Sequence, residues 1–130
     1  MLLSVEDLDV SFDTPDGRLH AVRGISFDLD RGETLGVVGE SGSGKSVSTQ
    51  AMVGLSAGAI VEGRALFQGR DLLTMGDEDL RSVRGREIGM VFQDPLSSLH
   101  PQFRVGAQIA EAIRVHEKTS PKLLRSRVVD

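Results

Sequence analysis

The sequence predicts an α/β fold in which a small antiparallel β region precedes a core of parallel strands and helices. Apolar and polar residues alternate in two runs within the first thirty positions, which is typical of antiparallel strands with one wet face. A short apolar run then leads through a glycine-rich loop into a segment with helical spacing, Val47, Ala51 and Leu55. Strand, loop and helix in this order indicate a βα unit of a parallel sheet.

The first part of the chain predicts a β hairpin. Two runs alternate apolar with polar residues: Leu8, Val10 and Phe12, then Ile25, Phe27 and Leu29. Between them, Thr14–Gly17 holds a proline that presets φ and a glycine that tolerates positive φ, as a tight turn requires. We therefore expect residues 1–33 to form an antiparallel β region beside the later core.

A phosphate-binding motif follows. Eight consecutive residues fit G-x-x-x-x-G-K-[ST]: Gly39, Glu40, Ser41, Gly42, Ser43, Gly44, Lys45 and Ser46. Glycines let backbone N–H groups approach phosphate oxygens without a Cβ in the way. Lys45 then supplies a mobile charge for the β- and γ-phosphates, and the Ser46 hydroxyl can ligate Mg²⁺. The positive end of the helix that starts here points at the same anion.

The flanks of this motif also have the expected pattern. Thr34–Val38 is short, apolar and bounded by glycines, which predicts a buried parallel strand. Gly54 and Gly58 end the helical pattern on the other side. A glycine-rich turn would match the motif by chance in fewer than roughly 1 in 100 chains of this length. We therefore predict that the loop binds the phosphates of a nucleotide.

Two further strands and a helix are predicted in the middle of the chain. Arg64–Gln68 lies between glycines and indicates a short strand. Acidic residues at 77–79 indicate the first turn of a helix, which Gly85 ends. Ile88–Phe92 predicts a second core strand, with Gln93 at its carboxyl end, where α/β sheets bind ligands. From its position alone, Gln93 could equally be a ligand-binding residue or a solvated turn residue.

Two helices are predicted in the last part of the sequence. Apolar residues recur every four positions within about 104–118, which predicts a helix. Ser120 and Pro121 supply an N-cap hydroxyl and a proline for the first turn of the next helix, in which Leu124 and Val128 share one face. No glycine or proline stop signal follows, so we expect the sequence to be interrupted there.

Composition narrows the classes of function. The chain has 130 residues, 39% of them hydrophobic, enough for one domain with a core. Its net charge of −4 gives no indication of a nucleic-acid partner, and it has no cysteine for disulfides or thiolate metal sites. The N-terminus lacks the basic region of a signal peptide, and no apolar run reaches the length of a membrane span. We expect a cytoplasmic protein.

Four stretches resemble the N-terminal part of ABC transporter ATPase subunits, most closely the oligopeptide and dipeptide importer group. They are Gly39–Ser46, Arg84–Pro95, Ser98–Pro101 and Val105–Glu111. The resemblance implies an incomplete P-loop NTPase fold of the ABC type, with an antiparallel β subdomain (1–33), a P-loop core (34–95) and the start of a helical subdomain (96–130). It covers nearly all of this chain but only about the first two-fifths of such a subunit.

The resemblance also implies cofactors and site residues. ATP and Mg²⁺ would be bound, and Gln93 would contact the Mg²⁺ and attacking-water region and relay nucleotide state toward a membrane subunit. Phe12 falls where the family stacks an aromatic ring on adenine, although ordinary strand packing is the alternative. The implied nucleotide contacts are Phe12, Gly39, Glu40, Ser41, Gly42, Ser43, Gly44, Lys45, Ser46 and Val47, and the implied Mg²⁺ ligands are Ser46 and Gln93.

The partners implied by the resemblance are a second ATPase subunit and the transmembrane permease. The two ATPase subunits would form a homo- or heterodimer, and the permease subunits would be contacted through the region of Gln93. The complex would lie on the inner face of the cell membrane. The imported solute would be a peptide or a related small solute, such as nickel.

The sequence departs from the family pattern in two ways. His100 stands where these importers usually carry asparagine, and we interpret it as a tolerated loop change; His20 and His116 are interpreted as ordinary polar residues. The Leu-Ser-Gly-Gly-Gln signature, the Walker B strand and the switch histidine do not occur in residues 1–130. Because phosphoryl transfer needs these parts together, we expect no hydrolysis by this chain alone.

Two alternatives stay open. A small P-loop kinase would transfer phosphate to a small acceptor, but it needs an arginine-rich lid and a Walker B strand, and the sequence offers neither convincingly. A nucleotide-binding or interaction module without turnover is the second alternative.

Overall fold

The computed structural model describes the main chain of residues 1–130 and every side chain except those of Pro95 and Leu96. Pro95 ends the second family-like stretch, so its side chain lies outside the described part. The chain divides into two compact units, Met1–Leu80 and Arg81–Asp130. The elements are β1 (Leu3–Thr14), β2 (Gly17–Leu29), α1 (Lys45–Met52), β3 (Ala59–Phe67), β4 (Arg70–Asp71), α2 (Asp77–Val83), a 3₁₀ helix (Pro95–Ser98), α3 (Val105–His116) and α4 (Pro121–Val129).

The first unit contains one antiparallel sheet with the strand order β2-β1-β3-β4. The predicted hairpin is confirmed: β1 pairs with β2 through the turn at Thr14–Gly17, where the Thr14 hydroxyl donates to the Gly17 carbonyl at 2.6 Å. The predicted strand at Arg64–Gln68 is the end of the longer β3, which pairs antiparallel with the other edge of β1. β1 is therefore an interior strand with a long neighbour on each edge.

The pairing of β1 with β2 is irregular where β2 approaches the phosphate loop. Val10 pairs with Val22 and Ser11 pairs with His20, so Ala21 is an extra residue in a β-bulge. Ser11 is only 2% exposed, although the alternation assigns it to the wet face, and Phe12 is half-exposed. The burial of β1 therefore departs from strict alternation at Ser11 and Phe12.

Helix α1 packs on the sheet through a different face from the predicted one. Its buried residues are Ser48, Ala51 and Met52, whereas Val47 is half-exposed and Leu55 lies exposed beyond the helix end. Burial of Ser48 is possible because its hydroxyl donates to the Lys45 carbonyl at 2.7 Å and leaves no unsatisfied donor. The hydrophobic residues buried in this unit are Val5, Leu8, Val10, Val22, Ala51, Met52, Val53, Ala65, Phe67, Leu72 and Leu80.

The two predicted parallel strands are not formed. Thr34–Val38 is an unpaired segment with Val38 93% exposed, and Ile88–Phe92 makes one isolated bridge, between Ile88 and Arg84. The backbone of a parallel strand forms its hydrogen bonds with neighbouring strands. Within the described residues neither segment has such a neighbour, so the apolar runs stay exposed.

The predicted helices are confirmed. Helix α2 begins with three acidic residues and ends just before Gly85, and α3 and α4 pack against each other in the second unit. The Ser120 hydroxyl caps α4 by accepting the Leu123 N–H at 3.3 Å, and Leu124 is the buried residue of that helix. None of the helices in the described part of the chain combines the length and the hydropathy needed to cross a bilayer.

Candidate functional site

The glycine-rich loop joins the segment 34–38 to helix α1. The Ser43 N–H donates to the Glu40 carbonyl at 3.1 Å and closes a turn, and Gly42 and Gly44 have φ values of 80° and 94°. Helix α1 begins directly after Gly44, so its first N–H groups have no partner within the helix. A loop followed by free N–H groups at a helix start is suited to bind an anion.

The ammonium of Lys45 is held inside this loop. Its Nζ donates to the carbonyl oxygens of Gly39 at 2.5 Å and Glu40 at 2.7 Å, and to the hydroxyl of Ser43 at 3.2 Å. An ammonium has three donors, so these three acceptors match its capacity. The loop thus keeps a positive charge at its centre, and the same three protons can bind phosphate oxygens.

Gly44 lies against β2, and the contact leaves no room for a side chain. A Cβ on Gly44 would lie 2.5 Å from the Ala21 carbonyl oxygen and 3.2 Å from a methyl group of Val22. The positive φ of Gly44 also disfavours any residue with a side chain. The loop is therefore seated on the bulge of β2.

A cavity of about 480 Å³ opens beside the loop. Ser43, Gly44 and Lys45 form one wall, residues 20–23 of β2 form another, and Val37 and Val38 contribute apolar surface. Its lining includes the cations Arg23 and Lys45 and no carboxylate. The size and the basic lining suit an anionic small molecule.

The predicted site residues fall into four groups. The hydrogen bonds of Lys45 bring together Gly39, Glu40 and Ser43 in the first unit. Phe12 lies in β1 of the same unit, half-exposed between Leu19 and Ala59, and is not among the residues that line the cavity. Ser41, Gly42 and Ser46 are exposed, and Val47 is half-exposed. Gln93 is exposed in the second unit, and its role stays a prediction, like that of Phe12.

Most of the residues of β2 that line the cavity were not identified from the sequence. The alternation in β2 indicates Ile25, Phe27 and Leu29 as inward positions; of these, Ile25 lines the cavity, and the other lining residues of β2 are the segment 20–23. The bulge at Ala21 brings that segment to the loop, and a bulge has no signature in hydrophobic periodicity. His20, interpreted as an ordinary polar residue, lies 3.5 Å from the Asp9 carboxylate.

Ser46 fits the role of a Mg²⁺ ligand. Its hydroxyl is exposed beside Lys45 at the start of α1, and it makes no hydrogen bond within the described residues. A hydroxyl oxygen is a hard ligand of the kind that Mg²⁺ takes together with phosphate oxygens and water. No group of three or more His, Asp or Glu that could hold a metal ion is found in the described part of the chain.

His100 has a structural role in the second unit. Its Nδ1 accepts the Gln102 N–H at 3.2 Å, and its ring lies 4.8 Å from the ring of Phe103. The Gln108 side chain accepts the His100 N–H at 2.8 Å and donates to the carbonyls of His100 and Phe103, both at 3.0 Å. These contacts agree with the interpretation of His100 as a loop residue.

Comparisons with known proteins agree on one family. The family model described as ABC transporter matches residues 22–129. The oligopeptide transport ATP-binding protein OppD of Bacillus subtilis (strain 168) is 48% identical over 132 residues, which cover 99% of this chain and 37% of that protein. The dipeptide transport ATP-binding protein DppD of the same organism is 47% identical, with 98% of this chain and 39% of that protein covered. The chain thus spans less than two-fifths of these two relatives.

A solved structure has a similar fold. The dimeric, post-hydrolysis ATP-binding cassette MJ0796 bound to ADP and Pi superposes with a TM-score of 0.83 at 20% sequence identity. The superposition covers 98% of this chain and 54% of that cassette. At this identity the likeness concerns the fold alone.

Proposed function

Since this chain belongs to the ABC transporter family, with the α/β fold of its ATPase cassettes, we propose that it binds ATP within a subunit that powers the import of peptides or a related small solute. The peptide assignment is supported by the two relatives described above, which are named for oligopeptide and dipeptide transport. The solute itself would be selected by other subunits of the importer.

The observation that carries the proposal is the position of the Lys45 ammonium. It is bound by three oxygens of its own loop, two of them backbone carbonyls, beside a cavity without a carboxylate in its lining. A triphosphate entering this loop offers more negative charge than neutral carbonyls, so the ammonium would exchange loop oxygens for phosphate oxygens. The free N–H groups at the start of α1 would bind the same phosphates.

Mg²⁺, when bound with the nucleotide, neutralises charge on the phosphates. Ser46 would supply a hydroxyl ligand to it, with Gln93 as the second protein ligand. Phe12 would stack on the adenine, since an aromatic face binds a base without reading its edges. Residues 39–47 would surround the phosphate chain.

We also propose that this chain binds ATP without hydrolysing it. An in-line water needs a group to orient it, and the γ-phosphate needs charge neutralisation from several sides. Lys45, Ser46 and Gln93 cover part of these needs, while residues 1–130 contain no signature loop, no Walker B carboxylate and no switch histidine. Hydrolysis would therefore belong to a complete cassette paired with a second one, beneath a permease on the inner face of the membrane.

Calorimetric titration with ATP and Mg²⁺ tests the binding proposal. Loss of a charge-assisted hydrogen bond costs roughly 1.5–3 kcal/mol, so Lys45→Ala should weaken ATP binding by about 10- to 100-fold. Lys118→Ala is the matched control, because Lys118 is an exposed lysine of the second unit. Equal ATP affinity of the folded parent and Lys45→Ala proteins would remove the phosphate-loop assignment.

A further inference from the structure

The charges around the loop cavity differ from those of the chain as a whole. The chain has 19 acidic and 15 basic residues, yet the cavity is lined by Arg23, Lys45 and His20 and by no Asp or Glu. His20 already has a carboxylate neighbour, Asp9. The cavity thus brings together two positive charges, those of Arg23 and Lys45, in an acidic protein.

Arg23 and Lys45 differ in their partners. Lys45 makes three hydrogen bonds to its own loop, whereas the guanidinium of Arg23 makes no hydrogen bond or ion pair within the described part of the chain. All five N–H donors of Arg23 are therefore available to a ligand. Their fork geometry matches two oxygens of one phosphate, a match that a lysine ammonium does not provide.

The position of Arg23 is tied to that of the loop. Arg23 directly follows Val22, and Val22 is buried and contacts the site of Gly44 through its methyl group. The bulge at Ala21 seats this part of β2 against the loop. Arg23 is among the residues that line the cavity, and its side chain is exposed.

We propose that Arg23, which lines the same cavity as Lys45, is a second cationic contact for the phosphate chain of the bound nucleotide. The inference rests on the proposed ATP binding and extends it to a residue outside the G-x-x-x-x-G-K-[ST] motif. The ligand it recognises is a nucleoside polyphosphate or inorganic tripolyphosphate. Arg23 acts in binding and takes no part in proton transfer.

The test compares the affinities of the purified chain for ATP, AMP and tripolyphosphate in four variants. An exposed ion pair contributes modestly, so Arg23→Ala should lose about three- to tenfold in affinity for ATP and for tripolyphosphate. AMP, which has one phosphate, should lose less than about twofold. Arg23→Lys should recover part of the loss because it restores the charge without the fork.

Arg31→Ala is the control for general electrostatics. Arg31 is an exposed arginine of the same unit and is not among the cavity-lining residues, so its removal should leave ATP affinity within about twofold. An equal loss in Arg31→Ala and Arg23→Ala would overturn the inference, as would an equal loss for AMP and ATP. Retention of the melting temperature in each variant shows that the comparison concerns folded protein.

Lys45→Ala separates this inference from the proposed function. If Lys45→Ala weakens ATP binding as expected and Arg23→Ala changes nothing, ATP binding stands and the role of Arg23 is withdrawn. If neither variant changes ATP affinity, the phosphate-loop assignment itself fails. Loss of ATP and tripolyphosphate affinity in both variants, with Arg31→Ala unchanged, supports the inference.

Discussion

The Nζ atom of Lys45 lies 2.5 Å from the carbonyl oxygen of Gly39, so the last charged residue of the loop is bonded to the first residue of its motif. The contact closes the loop on itself through a side chain. Together with the bonds to Glu40 and Ser43, it defines the shape of the loop around one positive charge. The Nζ atom of Lys45 therefore contributes both to the stability of the loop and to the proposed nucleotide binding. Experiments can measure the two contributions separately.

Lys45→Ala should change the free energy of unfolding by less than about 1.5 kcal/mol. The hydrogen bonds of Lys45 lie at the protein surface, where water replaces them after the mutation. Urea denaturation followed by circular dichroism gives the value, with Lys122→Ala as an exposed-lysine control. A loss above about 3 kcal/mol would show that Lys45 is a structural residue, and its effect on ATP binding would then need another explanation.

Phe12→Ala should weaken ATP and GTP binding alike, by about 1–3 kcal/mol, because stacking depends on the aromatic face and hardly on the edges of the base. Tripolyphosphate has no base, so its affinity should be unchanged. Phe103→Ala in the second unit is the control, since its exposed ring packs on His100. If tripolyphosphate binding suffers as much as ATP binding, Phe12 serves the packing of β1, and its role at the base is withdrawn.

Gly44→Ala should destabilise the protein more than Gly42→Ala. Both positions have positive φ, which costs about 1–2 kcal/mol for a residue with a side chain. Only at Gly44 would the new Cβ also meet a carbonyl oxygen, whereas it would lie in open space at Gly42. We expect a difference of at least about 1 kcal/mol in denaturant titrations. Equal stabilities would mean that the contact between the loop and β2 relaxes at little cost.

The purified chain should self-associate as its concentration rises. Val38 and Val91 are 93% and 91% exposed in two unpaired apolar segments, and such segments can pair with other chains. Light scattering after size-exclusion chromatography measures the effect, which Val38→Glu should reduce and Val129→Glu, at the end of α4, should not. A monomer with a sharp two-state melt that does not depend on concentration would contradict this prediction.

Phosphate release from the purified chain should not exceed the Mg²⁺-only background, even at saturating ATP. When catalytic groups act as a unit, the loss of some of them removes most of the rate. The control is Lys45→Ala, which should give the same background. Multiple turnovers that disappear in Lys45→Ala would show that residues 1–130 form an enzyme in their own right and would favour the small-kinase or complete-enzyme interpretation.

Local signals predicted the hairpin, the cap of α4 and the phosphate loop. The turn at Thr14–Gly17 and the Ser120 cap each depend on a few neighbouring residues, and both are observed. The predictions of strands at Thr34–Val38 and Ile88–Phe92 are wrong. An apolar run indicates burial, but it does not indicate which strand would pair with it. Pairing is a long-range property that periodicity does not contain.

The candidate site was also predicted only in part from the sequence. The motif identified Lys45 and its loop, since glycine spacing and chemistry are encoded within eight residues. The wall formed by residues 20–23 could not be predicted, because the extra residue Ala21 is visible only in the pairing of two strands. Burial of Ser48 was missed for a related reason, since its hydrogen bond to Lys45 depends on where α1 begins.

The seating of Gly44 on the bulge of β2 determines where the chain tolerates a change of length. Thr14–Gly17 forms the exposed tip of the hairpin, so a short peptide tag inserted there lengthens the turn and leaves the strand pairing intact. Deletion of Ala21 leaves the pairs Val10–Val22 and Ser11–His20 in register, but it removes the bulge and the Ala21 carbonyl oxygen against which Gly44 packs, so the loop loses its seat. Protein engineers who label this chain have a permissive position at the hairpin tip and a forbidden one a few residues further along the same strand.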